Sequence, residues 1–234
     1  MSHSYLSPLI TSFREHEDPV YALRMAAYMK NKFDFLGIQT PLRKELFRNF
    51  IKSYGLPQLS DLHKEVAALW DMPQREFQYV AISLFDKFKR KYRKEDILLA
   101  EKLIIEKSWW DTVDGIAAWI AGDYFRKFPE MIRPVTRRWM DSGNMWLQRS
   151  ALLFQLRYKN DTDEDLLCDY IRELISSKEF FIRKAIGWTL REYSKTNAGS
   201  VQQFVDKTPM ASLSKKEALK IIERKKKALK GDAD

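Results

Sequence analysis

The stretch KSWWDTVD, residues 107–114, places two tryptophans beside two aspartates. An unpaired buried charge is costly, so these carboxylates are hard to hide in a core beside large aromatic rings. Asp111 stands where the N-cap of a helix is expected, and Asp114 follows three residues later, where its charge suits the helix dipole. Alternatively, aromatic faces and a negative charge line one cleft. An enzyme built on such a cleft would use only a carboxylate, aromatic faces and cations.

The two tryptophans of this stretch differ in their predicted setting. Trp109 continues the apolar face of the preceding helix, which predicts a core position. Trp110 falls on a different side of the helix, four residues before Asp114, so it could flank a cleft.

A second stretch combines basic residues with an aromatic on one predicted helix face. Its members, spaced i, i+4, i+7 and i+11, are Lys184, Trp188, Arg191 and Lys195. Such a stripe suits a nucleic-acid backbone, because the cations meet phosphates and the aromatic faces meet sugar or base. The alternative is a partly buried Trp188 whose basic neighbours extend to water.

Other catalytic signatures are missing from the sequence. It has no Gly-rich phosphate loop, no H-E-x-x-H, and no serine or cysteine nucleophile in a recognisable context. His3, His16 and His63 are scattered without a metal-ligand pattern, and Cys168 lies in an apolar run typical of a core. We therefore predict neither a metal nor a cofactor.

Composition narrows the class of protein. The chain has 234 residues, 45% of them hydrophobic, and 41 Lys+Arg against 32 Asp+Glu leave a formal charge of +9. This excess favours an anionic partner, nucleic acid first and an acidic membrane surface second, with simple solubility as the alternative. No apolar run approaches the roughly 20 residues that span a bilayer, and the N-terminal residues lack a secretory pattern. We expect a cytoplasmic protein without a membrane partner.

Helical periodicity dominates the chain. Only 8 glycines and 8 prolines are present, too few for a chain rich in tight β-turns. Apolar residues recur at helical spacing between breaks that contain proline, glycine or capping residues, which predicts an all-α chain of about twelve helices. The predicted breaks are GLPQLSD, DMPQ, KFPEMIRP, DSGN, KNDTDED and KTNAGS.

A repeat is also visible. Gln78, Asp114, Arg149 and Lys184 occupy equivalent positions 35 or 36 residues apart. Helical pairs of this length suggest a HEAT-like or armadillo-like stack, in which equivalent positions line a concave surface. We expect one domain over residues 1–234, with a basic tail from about residue 214 that frays at its end.

Five long motifs, in order along the chain, resemble the AlkD-like DNA glycosylases, the bacterial DNA alkylation repair family. They are YMKNKFDFLGIQTP, LWDMPQREFQ, KSWWDTVD, NMWLQRSALLFQLRYK and SSKEFFIRKAIGWTLREYSKTN. The resemblance implies a superhelical stack of HEAT-like repeats around a concave basic groove that holds duplex DNA. It also implies hydrolysis of the N-glycosidic bond of N3- and N7-alkylated purines.

Matched motif by motif, the resemblance implies roles for individual residues. Asp114 would be the catalytic aspartate, with Trp110 and Trp188 flanking the lesion. Arg149 would grip the backbone beside the lesion, and Tyr28 would complete the cleft. The further residues that we predict to bind DNA are Lys184, Arg191, Lys195 and Arg157.

This reading predicts a monomeric repair glycosylase, nucleoid-associated in the cytoplasm, whose partner is duplex DNA carrying alkylated purines. Asp114 would stabilise an oxocarbenium-like transition state and orient water. The main alternative is a non-catalytic HEAT-like scaffold that binds DNA or an acidic protein. An RNA-binding repeat would instead carry stacking aromatics in every repeat, whereas here they concentrate in two or three.

Overall fold

The computed structural model describes residues 5–231 of the chain. Within this range the residues form α-helices joined by short turns and 3₁₀ segments, with an isolated β-bridge between Asp34 and Gln74. The all-α prediction is confirmed. Fourteen α-helical segments lie within residues 5–231, where the sequence predicted about twelve helices. None of the helices in this range is long and apolar enough to cross a membrane.

The chain divides into two compact units, Met1–Lys91 and Tyr92–Asp234. The helices of the N-terminal unit are α1 (Ser7–Glu15), α2 (Pro19–Tyr28), α3 (Thr40–Tyr54), α4 (Leu62–Asp71) and α5 (Arg75–Lys87). Those of the C-terminal unit are α6 (Asp96–Ile105), α7 (Trp110–Gly115), α8 (Gly122–Lys127), α9 (Ile132–Asp141), α10 (Met145–Leu153), α11 (Glu164–Leu174), α12 (Phe180–Tyr193), α13 (Ala198–Lys207) and α14 (Ser212–Gly231). That one repeat domain spans residues 1–234 stays a prediction.

In the N-terminal unit, a buried carboxylate holds the loop between α2 and α3. Glu76 accepts hydrogen bonds from the backbone N–H groups of Leu36, Gly37 and Ile38 at 3.0, 3.0 and 3.1 Å. Gly37 has a φ of 88°, and a Cβ there would lie 2.1 Å from the carbonyl oxygen of Asp18. Only glycine fits this turn.

Helix boundaries in the C-terminal unit follow the capping residues of the predicted breaks. Asn144, Asp163 and Asn197 are N-caps of α10, α11 and α13, and each accepts a hydrogen bond from a backbone N–H of the first turn. These side chains satisfy donors that the start of a helix leaves without an intrahelical partner.

The repeat positions of the C-terminal unit lie on helices that pack in succession. Asp114 is on α7, Arg149 on α10 and Lys184 on α12, and α10 contacts both of the others. Phe125 of α8 makes edge-to-face contacts with Trp139 of α9 and with Phe154, which follows α10, and all three side chains are buried. Residues about 35 apart in sequence are therefore brought onto adjacent helices.

A π-helical segment, Ile116–Ala121, joins α7 to α8 in one continuous rod. The small residues of this rod allow close packing, and a Cβ on Gly122 would lie 2.8 Å from the carbonyl oxygen of Phe154. Tyr158 donates a hydrogen bond to the carbonyl oxygen of Gly122 at 2.8 Å. Wide π turns are rare and recur beside functional residues, and this one directly follows the turn that carries Asp114.

The basic segment from about residue 214 belongs to α14, which packs along α12. Ala218, Leu219 and Ile222 of α14 are buried. The helices approach closely at Gly187 of α12, where a Cβ would lie 2.8 Å from the carbonyl oxygen of Ser214. The tail is thus helical over its described length, with buried residues as far as Ile222. Residues 232–234, at the end that was predicted to fray, lie outside the described residues.

Candidate active site

An open cavity of about 510 Å³ in the C-terminal unit brings together most of the predicted site residues. Helices α7, α10, α12 and α14 contribute its walls. The lining residues are Trp110, Asp114, Arg149, Phe180, Phe181, Lys184, Trp188, Arg191, Glu217 and Lys220.

The helix that carries the acid begins two residues earlier than the predicted cap would require. Trp109 is the N-cap of α7, and Asp111 lies within its first turn. The prediction that Asp111 is the N-cap is therefore wrong, although its charge still lies at the positive end of the helix. Asp114 follows one turn later, and its side chain is 16% exposed at the cavity wall.

Arg149 holds the carboxylate of Asp114 through two parallel hydrogen bonds. Its Nε donates to Oδ1 at 2.7 Å and its Nη2 donates to Oδ2 at 2.8 Å. The remaining terminal nitrogen, Nη1, donates to the carbonyl oxygen of Phe181 on α12. Since Arg149 is only 4% exposed, its guanidinium is a fixed part of the wall. Bidentate pairs of this kind fix orientation as well as charge.

The ionisation of Asp114 reflects opposing effects. Burial raises the pKa of Asp114 above its ordinary value, because a carboxylate is poorly solvated there. The hydrogen bonds and charge of Arg149 lower the pKa again in part, and the nearby charge of Asp111 raises it slightly. Arg149 is therefore the group that favours the ionised form of Asp114.

An aromatic cluster packs beside this ion pair. Trp109, Trp146 and Phe181 pack with ring centroids 5.0–5.9 Å apart. The guanidinium of Arg149 lies 5.8 Å from the centroid of the Phe181 ring. Trp109, which was predicted to lie in the core, packs in this cluster and is half-buried. The cluster restricts the rotamers that Arg149 can adopt.

Trp110 and Trp188 lie on the cavity wall with Asp114, and both are half-buried. They belong to different helices, α7 and α12, and both helices pack against α10, which brings the two tryptophans to one cavity. Phe180 extends the aromatic lining to the rim, where it is largely exposed. The cavity therefore presents several aromatic side chains around the ion-paired carboxylate of Asp114.

The basic stripe of α12 meets a second carboxylate that sequence reasoning missed. Glu217 of α14 accepts a hydrogen bond from Nζ of Lys184 at 3.1 Å and also pairs with Arg191. The charges of Asp114, Arg149 and Lys184, which were expected to line one concave surface, are thus paired within the cavity wall. Glu217 lies 33 residues after Lys184, close to the spacing of the repeat. Extending the repeat into the basic tail would therefore have pointed to Glu217.

Three predicted DNA-binding residues lie outside this cavity's lining. Lys195, at the end of α12, pairs with Glu192. Arg157, after α10, pairs with Asp123 at 3.2 Å and lies over the exposed ring of Trp119 at 3.7 Å. The third, Tyr28, belongs to the N-terminal unit, where it ends α2 and is 70% exposed.

No group of three or more His, Cys, Asp or Glu side chains within residues 5–231 could hold a metal ion. Cys168, the free thiol of the chain, is buried, and burial raises its pKa to about 11. The cavity itself is lined by two carboxylates paired with cations, among aromatic rings.

Comparison with known proteins identifies the family. The family model described as DNA alkylation repair enzyme matches residues 9–222. A predicted DNA alkylation repair enzyme from Enterococcus faecalis is 33% identical, with a TM-score of 0.82 over 87% of this chain and 95% of that one. The structure of smu.31 from Streptococcus mutans UA159, 16% identical, has a TM-score of 0.59 over 88% of this chain and 97% of that one, a likeness of fold alone. A search of curated proteins found no match. This chain, whose role is in DNA repair, belongs to the DNA alkylation repair enzyme family.

Proposed function

We propose that this protein is a DNA glycosylase that hydrolyses the N-glycosidic bond of cationic N3- and N7-alkylated purines in duplex DNA. One observation carries the proposal. The carboxylate of Asp114 is held by the Arg149 fork in a cavity that Trp110 and Trp188 also line. An acid fixed among aromatic faces is suited to a developing cation.

The chemistry of the lesion explains why so few groups suffice. Alkylation at N3 or N7 makes the purine cationic, so it departs as a neutral base and needs no general acid. Positive charge then grows on the deoxyribose as the bond stretches, as in other glycosyl transfers. The Asp114 carboxylate would stabilise that charge and orient the attacking water.

Arg149 supports this role because it occupies one lone pair on each carboxylate oxygen of Asp114. The other lone pairs remain for the sugar cation and the water. A carboxylate already fixed in place need not reorganise as the transition state forms, which is the main source of electrostatic catalysis. The guanidinium also counters the effect of burial on the Asp114 pKa.

The tryptophans of the cavity offer a further attraction. The face of an indole ring is electronegative, and a cation over it gains about 0.5–2 kcal/mol. Trp110 and Trp188 can supply this gain to the alkylated base and to the sugar as its charge develops. Arg149 is paired with Asp114 and Lys184 with Glu217, so these two cations oppose a cationic group in the cavity less than free cations would.

A non-catalytic DNA-binding scaffold is less consistent with the same wall. A protein that only binds phosphates gains nothing from carboxylates in its cleft, because they repel the backbone and neutralise the cations that would attract it. Asp114 and Glu217 do both. These acids suit a site that acts on a cation.

Excision by Asp114→Asn tests the assignment. With a duplex carrying one N7-methylguanine and enzyme in excess, we expect the single-turnover rate to fall about 10²–10³-fold, as for other lost charge-stabilising groups. Asp111→Asn is the matched control, since it removes an equal charge from the first turn of the same helix and should retain the rate. Equal rates for the Asp114 variant and the wild type would refute the catalytic role.

A panel of lesions tests the chemistry separately. Cationic N7-methylguanine and N3-methyladenine should be released, whereas hypoxanthine, 1,N6-ethenoadenine and uracil should be poor substrates. The neutral bases need protonation or stabilisation as they leave. The acids of the cavity lining are Asp114 and Glu217, and both are paired with cations. Comparable rates for neutral and cationic lesions would require a general acid and would refute this mechanism.

A further inference from the structure

One face of α14 carries a row of exposed cations. Its basic members recur at intervals of three or four residues and therefore share one side of the helix. They are Lys216, Lys220, Arg224 and Lys227, all of them exposed. With Leu213, Glu217 and Glu223 they line a shallow cavity of about 580 Å³. We call these four cations the α14 row.

The α14 row differs from the cleft in how its charges are compensated. In the cleft, Arg149 is paired with Asp114, while Lys184 and Arg191 are paired with Glu217. No cation of the α14 row forms a hydrogen bond or ion pair with another residue of the described range 5–231. Glu223 contributes one negative charge to the same face against four positive charges. The α14 row therefore keeps a positive charge available to an outside anion.

The row is continuous with the candidate active site. Glu217 and Lys220 line both cavities, so the exposed face of α14 begins at the cleft wall. The helix is anchored there, because Ala218, Leu219 and Ile222 on its opposite side are buried. A ligand bound at the cleft and extending past Glu217 would follow the row.

We propose that the α14 row binds the phosphate backbone of the duplex that flanks the lesion. This inference rests on the proposed function, since it takes DNA as the occupant of the cleft. From Lys216 to Lys227 the helix rises about 16 Å at 1.5 Å per residue. A DNA strand advances about 3.4 Å per phosphate along its axis, so the row spans about five phosphates. Its length, its charge and its continuity with the cleft all match a backbone segment.

The test is the salt dependence of binding to an unmodified duplex. The variant Lys216→Gln/Arg224→Gln/Lys227→Gln spares Lys220 and every residue of the cleft lining. Each lost phosphate contact lowers the slope of log K against log salt by about 0.9, so the slope should fall by as much as about 2.7. The affinity at low salt should fall with it, for any sequence. Since all three side chains are exposed, their loss leaves the fold intact.

A triple variant off the row controls for total charge. Lys215→Gln/Lys225→Gln/Lys226→Gln removes the same charge from the same helix, at exposed positions beside its buried face. We expect it to retain a slope close to that of the wild type. An unchanged slope for the row variant, or equal losses for both triples, would overturn the proposal. Because undamaged DNA is used, a protein that binds through the row but excises nothing would refute the proposed function and leave this inference standing.

Discussion

Replacement of Arg149 by glutamine tests the contribution of the ion pair separately from that of the rest of the cavity. The change removes the charge and the fork that hold Asp114, while the side chain remains long enough to fill much of the space. Asp114 is then left largely buried with no cation at its carboxylate, since the fork supplied both of its close contacts. The only favourable responses are protonation of the acid or movement of α7.

The expected loss of stability is large for a single polar substitution. Breaking a buried ion pair by removing one partner typically costs about 3–5 kcal/mol, because the other charge stays desolvated. The exposures of 4% for Arg149 and 16% for Asp114 place this pair in that class. Removing both charges, in Asp114→Asn/Arg149→Gln, should cost less than the arginine substitution alone, since no buried charge is left behind.

The pH dependence has a definite sign. Loss of Arg149 removes what lowers the Asp114 pKa, so the pKa of the folded variant should rise further above that of the unfolded chain. Over the interval from the ordinary aspartate value, about 4, up to the raised pKa, the folded state binds more protons. The stability of the variant should therefore fall as pH rises through this interval. Excision, which requires the carboxylate, should instead rise with pH.

Urea denaturation at several pH values, with single-turnover excision measured in parallel, tests both trends. The double variant is the control for the loss of packing around the pair. A stability loss for Arg149→Gln below about 1 kcal/mol at neutral pH would refute the argument from burial. So would a double variant no more stable than the single one, or stability and excision that change with pH in the same direction.

Two further substitutions test the role of α14. Glu217→Gln frees Lys184 and Arg191, so the affinity for any duplex should rise and the slope of log K against log salt should steepen by up to about 1.8. A salt titration measures both, with Glu173→Gln as an equal-charge control. Gly187→Ala places a Cβ 2.6 Å from that of Glu217 and 2.8 Å from the Ser214 carbonyl oxygen, and should lower the free energy of unfolding by about 1–3 kcal/mol, measured by urea denaturation.

Helix boundaries were largely predictable, because they depend on local chemistry. Asn144, Asp163 and Asn197 cap helices within breaks that the sequence marked, since a short polar side chain at a helix start has few other uses. Asp111 shows the limit of the method. The helix begins at Trp110 without a side-chain cap, because packing and not capping sets its first turn. The π segment after α7 likewise has no signature in composition.

The site was predictable in its members and not in its contacts. The repeat predicted that Asp114, Arg149 and Lys184 lie on neighbouring helices. They lie on α7, α10 and α12, and α10 packs against the other two. Sequence spacing cannot tell whether such neighbours face a common cleft or each other, because rotamers settle that question after the helices have packed. Arg149 turns to Asp114, and Lys184 turns away from both to Glu217. Because the sequence predicted a basic tail from about residue 214, Glu217 was not among the predicted site residues.

Charge pairing would allow a basic chain to act on the cationic substrate that we propose. A cleft filled with free arginines and lysines would attract phosphates but would oppose the positive charge that grows on the sugar. Asp114 pairs with Arg149, and Glu217 pairs with both Lys184 and Arg191, so two carboxylates offset part of the positive charge at that point. If the α14 row binds DNA as proposed, the attraction for the flanking backbone would come from that row, which adjoins Glu217. Separation of the two tasks along one wall would let the chain be strongly cationic overall and locally suited to a developing cation.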